Sequence, residues 1–275
     1  MLHIGIIAKR EIKLAFRNAW TYSFLILFTL FTIAMMLLQS GMTATDGYTD
    51  TTATMMNMTF YLLPLIALLL GGFSTTAEKE SGEWGLLATY PLNSYTFVIG
   101  KWLGLAVMLT TIICFSFGFS GMILLLFGKT FSLSTYLFFL TFSWVLALSY
   151  LSIALCIGTF AKNRWHALIG SMTIWFGTII IWPFLVIGVL GHLPSYTLVQ
   201  PALQVFTLFN PAEFIRIFSI IHLGAGAAFG PTYYALVNFT TSTYGLYAFL
   251  GLFIGWNACC LGISGYFWKR GVVNE

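Results

Sequence analysis

Six stretches of this chain run for about twenty residues or more without one Asp, Glu, Lys or Arg, near 20–38, 58–77, 103–127, 134–160, 166–190 and 243–268. The hydrocarbon core of a bilayer is about 30 Å thick, and roughly 20 apolar residues of helix cross it. Inside lipid every backbone N–H and C=O needs a partner from the protein, which leaves helices or closed barrels. Stretches this long predict helices. The expected fold is an all-α integral membrane bundle of six transmembrane helices, one domain over 1–275. Composition agrees, since a soluble domain carries about 25% charged residues and this chain has 7%, with 59% hydrophobic residues.

The charges that remain set the topology. With the N-terminus placed inside, the inner segments hold Lys9, Arg10, Lys13, Arg17, Lys79, Lys101, Lys162, Arg164, Lys269 and Arg270, and the outer ones only Lys129 and Arg216. The positive-inside rule then puts both termini in the cytoplasm. These basic residues stand at the ends of apolar runs, so the net charge of +4 reads as a topology signal rather than a nucleic-acid patch. The first apolar run is too long for a signal h-region and more spans follow, so a cleaved signal is not expected. Before it, Lys9, Lys13 and Arg17 recur every four residues, with Ile4, Ile7 and Leu14 largely opposite. That pattern predicts an amphipathic helix over 2–17 lying at the cytoplasmic interface.

Few residues carry recognisable chemistry. Gly128-Lys129-Thr130 imitates the end of a phosphate-binding loop, but Ile123 stands where its first glycine belongs. Every Asp, Glu, Lys and Arg falls at a span end or in a connection, which speaks against a proton relay or a charged pore ring. Gly-x-Ser-Gly strings at Ser120 and Ser264, with His166 elsewhere, leave open a membrane-embedded enzyme such as an intramembrane serine protease. A structural membrane anchor is a further alternative. Cys114, Cys156, Cys259 and Cys260 lie in apolar runs without CxxC spacing and are expected as small core residues. Met42, Met55, Met56 and Met58 read as apolar filler rather than Cu(I) ligands. Pro64 and Pro183 should bend the second and fifth spans.

Two connections are informative. The outer stretch 191–242 is apolar for a loop and contains Asn210-Pro211-Ala212-Glu213. Asn as cap, Pro at the first position and Glu at the third predict a short outer helix starting near Pro211. Arg216 stands at helical spacing from Glu213 and should pair with it. This helix is expected to be interfacial or re-entrant, closing a pathway, or to cap the bundle. The inner segment 78–92 holds the densest charge cluster: Glu78, Lys79, Glu80 and Glu83, then Trp84, Leu86 and Leu87, ending at Pro91. Asn93 or Ser94 can cap the next helix, which runs through Lys101 into the third span. A short amphipathic element joined to two spans suits docking of a cytoplasmic partner.

The inner segment resembles the signature of ABC-2-type permeases, the membrane subunits of one class of ATP-binding-cassette transporters. Glu78, Glu80, Gly82, Leu86, Leu87, Pro91 and Lys101 match it, as do the basic amphipathic N-terminus and the six-span layout. Within that family the chain is similar to permeases of nitrous-oxide-reductase maturation (Nos) transporters, in the run from Leu63 to Leu70 and in Asn210, Pro211, Glu213 and Arg216. The resemblance implies a non-catalytic permease subunit in the bacterial inner membrane that pairs with a second copy. Two separate ATPase subunits would carry ATP and Mg and dock on the coupling helix, formed by Glu78, Glu80, Gly82, Glu83, Trp84, Leu86, Leu87, Pro91 and Lys101. An extracytoplasmic partner, and delivery of copper or a sulfur species, are implied as well. No cofactor or metal is expected on this chain. Asn210, Pro211, Glu213 and Arg216 would form an outer gate or partner contact.

Overall fold

A computed structural model describes residues 2–39, 50–82, 93–126, 133–192, 196–230 and 233–271, and among these every regular element is a helix. They are α1 (Leu2–Ala15), α2 (Ala19–Gln39), α3 (Asp50–Glu80), α4 (Ser94–Leu126), α5 (Leu133–Phe160), α6 (Arg164–Gly191), α7 (Tyr196–Phe209), α8 (Pro211–Ile220), α9 (Tyr234–Thr241) and α10 (Thr243–Gly271). Five of them, α3 to α6 and α10, are long and apolar enough to cross a bilayer. The apolar run near 20–38 is the helix α2, 21 residues or about 31 Å at 1.5 Å per residue, which counts as a sixth span only when taken together with α1 as one bent pair.

α1 and α2 meet at a 73° bend. The bend is fastened by side chains that reach the carbonyls left open at the end of α1. Thr21 Oγ1 donates to the Ala15 carbonyl (2.7 Å), Tyr22 Oη donates to that of Phe16 (2.6 Å), and Asn18 Oδ1 accepts from Trp20 N (3.2 Å). α1 thus lies across the bundle instead of continuing α2. Its seat is on α4, where a Cβ on Gly104 would stand 2.5 Å from Glu11 Cβ and 2.8 Å from the Ala8 carbonyl oxygen. Ile7 is buried as expected, but Leu14 is 44% exposed and Glu11 only 1%. The inward face therefore runs through Ile4, Ile7, Glu11 and Ala15, turned from the one the basic spacing predicted.

The core is the contact of α3 with α5, where Leu63, Ile66, Ala67 and Leu68 meet Leu146, Ala147, Tyr150, Leu151 and Ala154. α10 runs parallel to α5. Ser152 Oγ donates to Asn257 Oδ1 (2.5 Å), and seven residues further on in both helices Thr159 and Ser264 share a hydroxyl hydrogen bond (2.7 Å). Met55 and Met56 fill this interior, in keeping with apolar packing. The cysteines correct the expectation. All are free; Cys114 and Cys259 are exposed, and Cys156 and Cys260 only partly covered. A membrane helix has apolar surroundings on both its lipid and protein faces, so an apolar run does not say which way a thiol points.

Pro64 is accommodated within α3. Near Pro183, α6 widens into a π-helical turn over Phe176–Ile181. The connection after α6 is a hairpin of α7 and α8 that continues through a π turn to Gly224, whose φ of +86° favours glycine.

Candidate functional site

The ends of α3, α4 and α6 at Glu80, Ser94 and Arg164 share one end of the bundle with α1, and the described charges concentrate there. Lys101 is 2% exposed, and its Nζ lies 3.1 Å from Glu11 Oε2 and 3.0 Å from Glu78 Oε2. At these distances the ammonium, with three N–H donors, is paired with both carboxylates. Arg10 Nη1 donates to Glu78 Oε1 (2.8 Å), and Ser74 Oγ donates to Glu11 Oε2 (3.1 Å). Lys101 Nζ also stands 5.8 Å from the centre of the Phe97 ring. Two carboxylates and two cations from α1, α3 and α4 balance to zero. Burial holds the Glu11 carboxyl above its ordinary range; Lys101 opposes this and Glu78 reinforces it.

A second layer of charge ties α3 to the α5–α6 turn. Lys79 Nζ donates to the carbonyls of Gly158, Thr159 and Ala161 (3.0, 2.6 and 2.8 Å), filling acceptors that the end of α5 leaves open. Glu80 pairs with Arg164 Nε (3.0 Å) and accepts from the Arg164 backbone N–H (2.8 Å). α3 then ends at Gly82, whose φ of +71° suits glycine.

Beside the cluster opens a cleft of about 270 Å³. Polar residues Asn18, Thr21, Ser74 and Ser81 line it together with the charged cluster, Leu70, Leu105 and Met108.

The predicted docking residues divide. Glu78 and Lys101 turn inward and bind helices to one another, so their side chains offer no outer surface. Glu80 is partly exposed and held by Arg164. Glu83, Trp84, Leu86, Leu87 and Pro91 lie outside the described residues. Sequence reasoning missed Glu11, Arg10 and Ser74 as partners. One signal was present: Glu11 shares a helical face with Ile4, Ile7 and Ala15, which no solvated glutamate needs.

The other predicted group forms the tip of the α7–α8 hairpin. Asn210 caps α8, its Oδ1 accepting from Ala212 N (3.0 Å), with Pro211 at the first position as expected. Its Nδ2 donates to the Thr178 carbonyl (2.6 Å). In a π register a carbonyl accepts from the residue five ahead. For Thr178 that residue is Pro183, which has no N–H, and Asn210 supplies the missing donor. Thr178 Oγ1 also shares a hydrogen bond with Tyr150 Oη (2.7 Å), and Trp256 Nε1 donates to the Leu208 carbonyl (3.1 Å). Thr178 and Trp256 stand about half-way along α6 and α10, so the hairpin dips into the bundle. Glu213 and Arg216 go with it, paired at 2.6 Å and 3.1 Å, with the guanidinium 5.6 Å from the centre of the Phe60 ring. Glu213 therefore serves Arg216 rather than a capping box. The sequence placed both charges in an outer connection; the fold carries them inward as a neutral pair.

The enzyme alternative receives no matching geometry at these residues. Ser264 bonds Thr159, Ser120 bonds the carbonyls of Ser116 and Phe117, and His166 Nδ1 contacts Asn163 Oδ1 at 2.7 Å.

Residues 6–256 match the family model described as "ABC-2 family transporter protein". The chain belongs to this family. Among curated relatives, this ABC-2 chain is 27% identical over 235 residues to the probable ABC transporter permease protein NosY of Pseudomonas aeruginosa. It is 25% identical over 232 residues to the probable NosY permease of Stutzerimonas stutzeri. Each alignment covers 82% of this chain and 84% of the relative. The family is one of transporter membrane proteins, and its several apolar helices make this a multi-pass membrane protein.

Proposed function

We propose that this protein is the permease subunit of an ABC transporter that couples ATP hydrolysis on separately encoded ATPase subunits to movement across the inner membrane. The observation that carries the reading is the buried Glu11–Lys101–Glu78 cluster, which joins α1, α3 and α4 at the end where 83–92 connects α3 to α4. Two copies pair, each docking one ATPase on 83–92 and the neighbouring Glu80 and Gly82, with both termini in the cytoplasm. ATP and Mg belong to those subunits. ATP-driven closure displaces the docked segment, and the ion pairs pass that displacement to α1, α3 and α4 as one body. The α7–α8 hairpin, whose tip is bonded to α6 and α10, shifts in response on the outer side.

The similarity to NosY proteins supports a narrower reading, in which the system serves copper-site maturation of nitrous oxide reductase. The output is then export of a sulfur or copper species, or motion passed to an extracytoplasmic protein at the hairpin.

The test is co-purification from mild detergent of an ATPase encoded beside this gene, using wild type and a Glu83→Arg/Trp84→Ala variant. Capture by wild type and loss from an equally stable variant supports both the transporter reading and the docking segment. If a folded wild type never retains an ATPase, the coupling reading fails.

A further inference from the structure

We infer that the outward face of α1, with Lys9, Lys13 and Arg17, holds the phosphates of anionic phospholipids, phosphatidylglycerol being the simplest, in the leaflet that meets this end of the bundle. The inference goes beyond ATPase coupling and does not depend on it. Lys9 and Lys13 stand on α1 and Arg17 in the turn that follows it, and all three are exposed. Among the described residues none of them meets a carboxylate, whereas Arg10 pairs with Glu78, Lys101 with Glu11 and Glu78, and Arg164 with Glu80. Tertiary packing makes this face. Glu11 is the one acidic residue of α1, and the seat on Gly100 and Gly104 turns it inward to 1% exposure. A helix of mixed sign in sequence becomes wholly basic on its outer side.

Depth and company set the occupant. α1 lies across the bundle, 73° from α2, at the end where exposed aromatic rings collect: Trp20 is 53% exposed, Tyr22 49% and Trp165 73%. Trp and Tyr gather at the headgroup level of a bilayer. Ile6 shares the face of the cations, two turns before Lys13, and is 61% exposed. Long basic side chains beside an apolar one suit the boundary of headgroups and acyl chains, where stems lie on hydrocarbon and charges reach phosphate. A zwitterionic headgroup also has a phosphate, but its own ammonium cancels the charge, so unpaired cations favour the anionic lipid. The competing occupant is an acidic protein surface, which matches the cations but need not lie at headgroup depth.

The experiment places a fluorophore on Ile6→Cys in the full-length protein, in a cysteine-free background. The protein is reconstituted in vesicles of equal parts phosphatidylglycerol and phosphatidylethanolamine, and one lipid at a time carries a nitroxide quencher at the top of its acyl chain. Quenching should report phosphatidylglycerol enriched at least about fivefold over phosphatidylethanolamine, the effect of one basic side chain near an anionic surface. In Lys9→Gln/Lys13→Gln/Arg17→Gln the two lipids should quench alike, with the melting temperature unchanged because these positions are exposed. High salt should remove the preference in the parent protein. Equal quenching by the two lipids in the parent, or a preference that survives in the triple variant, overturns the proposal. Quenching by neither lipid overturns it too, and together with loss of ATPase capture from the triple variant assigns the face to a protein partner. Loss of lipid preference with ATPase capture intact supports the proposal and separates this face from the docking segment.

Discussion

Lys101 shows how one buried cation sets the local electrostatics. Taking charges out of water costs several kcal/mol each, and their mutual attraction repays this only while all partners are present. Lys101→Met leaves Glu11 and Glu78 facing one another with only Arg10 nearby. It should lower stability by about 3–5 kcal/mol, measured by equilibrium unfolding in mixed micelles; a loss below about 1 kcal/mol would mean water already screens the cluster. Glu11 gives the matching pH signature. Its folded-state carboxyl titrates above the ordinary value of 4.5 because burial disfavours the charge, so the folded state binds the proton more tightly. Its contribution is fully present below that value and is lost as pH rises through the raised one. The stability of wild type relative to Glu11→Gln should therefore increase as pH falls from neutral toward 4.5 and level off below it. A flat difference over that range would rule out the burial effect.

Helices in this protein are positioned by small residues and end groups more than by their apolar faces. α1 reaches α4 because positions 100 and 104 have no side chain. Gly104→Leu should lift α1, at a cost of about 1–3 kcal/mol for overpacking, and expose a cysteine placed at Ile7 to maleimide; continued protection would show that α1 is held elsewhere. Asn210 offers a sharper contrast. An ordinary N-cap tolerates Asn→Asp, whereas loss of the cap costs about 1 kcal/mol. Here the amide must also donate to the Thr178 carbonyl, so Asn210→Asp should destabilise the hairpin at least as much as Asn210→Ala. Hydrogen exchange at residues 211–220 measures it. Equal protection in wild type and Asn210→Asp would reduce Asn210 to a cap.

For the molecule as a whole, the end bearing α1 joins cationic, acidic and backbone groups from α1, α3, α4, α5 and α6, whereas the opposite part is closed by a hairpin folded inward. In a cysteine-free background, cysteines introduced at His3 and Gly82 should label from the cytoplasmic side and one at Lys129 from the other. Labelling of His3 and Lys129 from the same side would overturn the six-span topology.

Much of this was legible in order along the chain. Apolar runs without charge specify helices because lipid leaves the backbone no other partner, and all six appear. Asn210-Pro211 announced its helix because a cap is a local hydrogen bond between neighbours. The family signature was legible as well, through residues near one connection. What the sequence hid depends on partners far apart in the chain. Glu11 and Lys101 read separately as charges at the ends of apolar segments; folding makes them one buried cluster, since neither could enter the interior without the other. The depth of the α7–α8 hairpin was hidden too, because an apolar connection looks alike on the membrane and within it. Its place follows from the carbonyl that Pro183 leaves without a donor, which the Asn210 amide fills from across the fold.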